Sequence, residues 1–133
     1  MKTLPLLLSA LMMAPAAFAQ QDDPLDALKW DKRPIVIFAD TGDDLLFRRQ
    51  MELLAEEEEM LSERDVVVLT DIEPDAKGPL RKRLRPRGFQ LVLIGKDGAV
   101  KLRKPRPWTV REISRVIDTM PMRQHEIRQR WEY

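Results

Sequence analysis

Three runs of apolar residues constrain this chain more than any other feature: "IVIFA" (35–39), "VVVLTDI" (66–72) and "FQLVLIG" (89–95). Each is short for a helix and rich in β-branched or aromatic side chains. A run without the polar alternation of a half-solvated strand belongs to a strand covered on both faces. Such strands need helices on either side of one sheet, so the fold class is α/β.

The intervening stretches supply the helices. Asp43 reads as an N-cap, and Leu46, Leu53, Leu54 and Leu61, with Phe47 and Met51, predict one helix from Asp44 to about Ser62. Two buried strands joined by a helix make a right-handed βαβ unit with a parallel pair. "EPDAKGPLRKRLRPR" (73–87) holds three prolines and one glycine, which predicts a loop with at most a short helix around Leu80 to Leu84. Lys96-Asp97-Gly98 is a tight hairpin turn. It leads into "AVKLR" (99–103), where outward Lys101 and Arg103 mark a protected edge strand. Thr109 and Glu112 form a capping box, and Val110, Ile113, Ile117 and Met120 share one helical face. Pro121 ends that helix and can open another, basic and read as exposed.

This order is βαβ followed by ββα, the order of a thioredoxin-like core. The expected sheet is four-stranded and mixed, in the order second-first-third-fourth, with flanking helices. Ahead of it, residues 1–19 read as a signal peptide. Lys2 precedes an apolar run from Leu4 to Met13, and Ala17 and Ala19 are small residues before Gln20. The expected location is therefore periplasmic or secreted. The remaining expected boundaries are a lead-in over 20–33, the thioredoxin-like domain over 34–120 and a basic helix and tail over 121–133. In the lead-in, Leu25, Leu28 and Trp30 are expected to dock as one helical turn.

Composition narrows the functions. With no cysteine, packing alone holds the fold, and thiol-dependent redox chemistry is excluded. The chain has 23 Lys and Arg against 22 Asp and Glu, a balance that argues against nucleic acid as a partner. The charge is uneven, however. Glu56–Glu59 is an acidic block read as a solvated face, whereas Lys77, Arg81, Lys82, Arg83, Arg85 and Arg87 form a basic cluster. That cluster suits an acidic protein or an anionic envelope surface. His125, the one histidine, reads as a surface residue, so neither a metal site nor a cofactor is expected.

Two stretches carry a resemblance. "LVLIGKDGAVKLR" contains Lys96, Asp97 and Gly98, and "IDTMPMRQHEIR" contains Asp118, Met120, Pro121, Met122 and Arg123. Together they resemble the signature segments of an exported bacterial family of unknown function described as thioredoxin- or peroxiredoxin-like. A related domain occurs in animal matrix proteins of the equarin and sushi-repeat type. The resemblance spans Leu28 to about Arg128, and the "IDxMPMR" pattern is its more specific part. It implies a fold and export, and no established reaction.

In thioredoxin-like folds the reactive cysteine sits at the N-terminus of the helix after the first strand, opposite a cis-proline. Here the first place holds Asp40, Thr41, Asp43 and Asp44, and the second holds Phe89 or Gln90. A carboxylate cannot attack peroxide as a thiolate does. Capping accounts for Asp43 and Asp44; a carboxylate pair for acid–base chemistry is the sharper alternative. Arg87, or failing it Arg85, is expected to pair with a carboxylate of Asp40, Asp43 or Asp44. The reading is a binding or structural module. The alternatives are an enzyme using the Asp40–Asp44 turn with Arg85 or Arg87, and an electrostatic adaptor working through residues 77–87.

Overall fold

A computed structural model describes residues 23–132. The elements are α1 (Pro24–Leu28), β1 (Arg33–Phe38), α2 (Leu45–Glu56), α3 (Glu58–Glu63), β2 (Val66–Asp71), α4 (Pro79–Leu84), β3 (Gln90–Ile94), β4 (Val100–Lys104), α5 (Val110–Asp118) and α6 (Pro121–Trp131), with a 3-10 turn at Pro74–Ala76. The sheet order is β2-β1-β3-β4, with β1 parallel to β2 and antiparallel to β3. This is the expected mixed sheet.

The uninterrupted apolar runs follow from two cores. Odd-numbered residues of β1 and β3 (Ile35, Ile37, Leu91, Leu93) pack with Leu54 and Leu61 and with Val110, Ile113 and Ile117 of α5. Even-numbered residues (Val36, Phe38, Val92, Ile94) pack on the other face with Leu25, Leu80 and Leu84. Each central strand thus buries both faces, and α1 belongs to the packed body through Leu25. The hairpin forms as expected, with Gly98 at φ 81 where a side chain would be strained. The capping box on α5 also forms, with Thr109 Oγ1 accepting from Glu112 N.

Several expectations need correction. Trp30 is 62% exposed and does not dock, and β1 begins at Arg33, before Pro34. β2 is only partly buried, because it is the outermost strand. The long helix is two: Glu57 leaves helical geometry at φ −138, ψ 50 and pairs with Arg111. The break lies in the four-glutamate run, where Glu56 and Glu59 stand at a repulsive i,i+3 spacing. Leu46 is 43% exposed, and Gln50 takes a fully buried position one turn on. Its amide donates to Trp108 O at 2.9 Å and accepts from Trp108 N at 2.8 Å, so this buried polar group is satisfied at both ends.

Candidate functional site

The turn between β1 and α2 is organised by capping. Asp44, rather than Asp43, is the N-cap, and its Oδ1 accepts from Leu46 N at 2.9 Å and Phe47 N at 3.0 Å. This satisfies two of the free N–H groups of the helix start. Asp40, Thr41 and Asp43 are exposed and Asp44 is half-buried. Among the described residues, no ion pair reaches Asp40, Asp43 or Asp44, and these carboxylates line no described cleft.

The expected arginine latch does not form with Arg85 or Arg87. A latch does exist one helical turn earlier, at Arg81, on a different carboxylate. Arg81 Nε donates to Asp71 Oδ1 at 2.8 Å, and its Nη2 donates to Ala39 O at 2.8 Å and Asp71 O at 3.0 Å. The guanidinium also lies 5.4 Å from the Phe38 ring centroid, within cation–π range. Position along the helix explains the difference, because residues 81 and 85 share a helical face. Arg81 lies in the first turns of α4, near the strand ends, whereas Arg85 is the exposed left-handed C-cap at φ 48 and Arg87 lies beyond Pro86. The latch therefore ties the ends of β1 and β2 together and leaves the Asp40–Asp44 turn outside. Gln90 is also elsewhere, accepting from Arg103 Nη1 at 2.9 Å.

The basic cluster is partly neutralised. Arg81 pairs with Asp71, and Arg83 pairs with Asp23 at 2.8 Å and Asp26 at 3.1 Å. Lys77, Lys82, Arg85 and Arg87 are exposed, and among the described residues none has a carboxylate within ion-pair distance.

A second constellation lies at the opposite end of the sheet, and three of the signature residues, Lys96, Asp118 and Arg123, help build it. Arg33, at the start of β1, is fully buried, and its guanidinium grips Glu126 through two nitrogens at 3.2 and 2.9 Å. Lys96 Nζ reaches Glu126 at 2.6 Å and Asp65 at 2.8 Å. Asp118 receives Arg64 at 3.0 and 2.9 Å and Arg123 at 3.1 Å. Helix α6, read from sequence as exposed, is thus held to the domain by charge, with Arg123 buried. Beside the network, Trp30, Lys96, Lys101, Met120, Pro121 and Met122 line a shallow cleft of about 290 Å³.

Electrostatics follow from these contacts. Burial pushes the Glu126 carboxyl up, but the bonds from Arg33 and Lys96 outweigh it and hold the carboxyl down at about 2. Burial likewise opposes Asp118, and its two arginines keep it low. Burial pushes Lys96 down, but Asp65 and Glu126 hold it above its ordinary value. A carboxyl depressed on folding stabilises the protein above its unfolded pKa, and that stability is lost as pH falls through the folded value. Glu126 should therefore contribute up to about 3 kcal/mol at neutral pH, lost progressively below about pH 5. Urea melts at stepped pH check this. The decline should be much smaller in Glu126→Gln.

Arg33, Arg64, Asp65 and Glu126 escaped the sequence reading, as did the Arg81–Asp71 pair. The available signal was the i,i+3 spacing of Arg123 and Glu126 on a helix with little apolar surface.

Residues 24–126 match the family model described as "Domain of unknown function (DUF4174)". The chain belongs to this family. None of the curated proteins matches the DUF4174 chain. Among solved structures, it is similar to the reduced 2-Cys peroxiredoxin of Plasmodium vivax, with 17% identity and a TM-score of 0.59 over 77% of this chain and 83% of that one. It is also similar to thioredoxin peroxidase I of Plasmodium yoelii, with 19% identity and a TM-score of 0.60 over 77% and 79%. At such identities the likeness establishes a thioredoxin-like fold alone. Among the described residues, no helix of the DUF4174 domain is long and apolar enough to cross a membrane.

Proposed function

We propose that this DUF4174 chain is an exported module that works in the periplasm by binding or scaffolding rather than by turnover. One observation supports this most. Where the fold could hold a reactive thiol, the chain has Asp44 engaged in capping, with Asp40 and Asp43 beside it on an open turn. Acid–base catalysis needs groups converging on a substrate position, and these carboxylates share no cleft. The charged groups that do converge, around Arg33 and Glu126, are bonded to one another.

The test is crosslinking in intact cells, comparing the wild-type chain with Asp40→Asn/Asp43→Asn. A binding module gives the same discrete adduct from both, on a chain whose intact mass begins at Gln20. Absence of any adduct, or a chain that keeps its first nineteen residues, would contradict the proposal.

A further inference from the structure

The two edges of the sheet are built differently. β4 is guarded: Lys101 and Arg103 are exposed along it, and its ladder with β3 is irregular at Leu93/Ile94. Cations and irregular pairing are common ways of discouraging a further strand. β2 has neither. From Val66 to Thr70 it carries no charge and no proline, and four of those five residues are aliphatic. Its first charged residue, Asp71, is held by Arg81.

The ladder shows which backbone groups the open edge presents. Arg33 N donates to Asp65 O at 2.8 Å, and Ala39 N donates to Asp71 O at 3.1 Å. Along a strand, successive residues address opposite neighbours, so Asp65, Val67, Leu69 and Asp71 face β1. Val66, Val68 and Thr70 therefore turn N–H and C=O outward, three donor–acceptor pairs in a row. Beside them runs a groove of about 300 Å³ between β2 and the α2–α3 helices, floored by Met51, Leu54, Leu61, Val66 and Val68. Its rim carries Glu58, together with Asp65, which is held by Lys96 at 2.8 Å and by Lys32 at 4.0 Å. Glu56 and Glu59 flank Glu58 on the exposed helix surface, and among the described residues neither has an ion-pair partner.

We infer that the open edge of β2 takes an extended, basic segment of a partner protein as an added strand. Outward N–H and C=O groups at alternate residues require an extended backbone. Side chains on one face of that strand fall over the apolar groove and are aliphatic; the acidic rim selects lysine or arginine at the others. This inference rests on the binding-module reading and names the partner chemistry.

The test is fluorescence anisotropy of the purified protein with a labelled octapeptide alternating valine with lysine and arginine. Saturable binding is expected. It should weaken at least about tenfold, equivalent to 1.4 kcal/mol, for an octapeptide with glutamate in place of the cations, and for the basic peptide N-methylated at alternate amides. Glu58→Lys/Glu59→Lys should weaken it similarly, as should Thr70→Pro, which removes an outward N–H and no bond to β1. Should Thr70→Pro fail to fold, the N-methylated peptide decides the backbone contribution. Equal binding of the N-methylated peptide would reduce the effect to surface charge and overturn the inference. So would the absence of saturable binding, or a concentration-dependent dimer that excludes the peptide. A cellular crosslink mapped away from β2 would sink this edge alone, whereas no crosslink at all would sink the binding module with it.

Discussion

Glu126→Ala should lower the unfolding free energy by about 3–5 kcal/mol, the cost of removing one partner from a buried ion pair. The Arg33 side chain is 1% exposed, and Glu126 accepts from both of its terminal nitrogens. Its Nε is already buried without a partner. With Glu126 truncated, the guanidinium keeps only the Arg64 carbonyl, at 2.8 Å, and its charge loses its closest carboxylate. Lys96 retains Asp65, and Arg123 retains Asp118, so the loss falls mainly on Arg33. Arg33→Met/Glu126→Leu should stand closer to wild type than Glu126→Ala does, because apolar packing can replace a buried pair. Denaturant melts of the three proteins with matched slopes check both statements. A Glu126→Ala variant within about 1 kcal/mol of wild type would mean the pair is solvated like a surface bridge.

Leu93→Ala should cost about 2–5 kcal/mol as a core truncation. Leu93 is fully buried in β3, opposite Ile35 of β1 and Leu102 of β4, in the cluster that holds Ile113 and Ile117. Strands on both sides and packed residues above leave little room for the site to collapse. Lys101→Ala, on the exposed edge, should stay within about ±0.5 kcal/mol, since its pair with Asp97 lies at the surface. Equal midpoint shifts in urea would contradict the assignment of β3 as central and β4 as edge.

These two sites mark where sequence is informative and where it is not. Leu93 was legible because a continuous apolar run demands two covered faces, and hairpin and capping-box chemistry are local. The same logic failed for β2. The strand order put "VVVLT" at the edge, as observed, but apolar content does not reveal how completely a strand is covered, and this one is only half-buried. The latch failed by a helix turn. An arginine was expected on the carboxylates of the Asp40–Asp44 turn. Among the described residues neither Arg85 nor Arg87 reaches them, and α4 instead presents Arg81 to Asp71 and the Ala39 carbonyl at the strand ends. The clamp around Glu126 was least visible. A helix with few apolar residues reads as solvated, and nothing local shows that Arg33, 93 positions earlier, is buried beside it. Long-range charge pairing leaves no periodic trace.

The central claim is that Asp118 and Arg123 of the "IDxMPMR" segment and Lys96 of the hairpin belong to a charge clamp that pins α6 to the sheet. Native-state hydrogen exchange of α6 amides at neutral pH, in wild type and Glu126→Gln, tests it most directly. The expected result is that amides of Gln124 to Arg128 exchange at least about tenfold faster in the variant, as a local opening separate from the sheet, while Ile35–Phe38 and Leu91–Ile94 remain the slowest to exchange in both proteins. Unchanged protection of α6 in the variant would contradict the clamp.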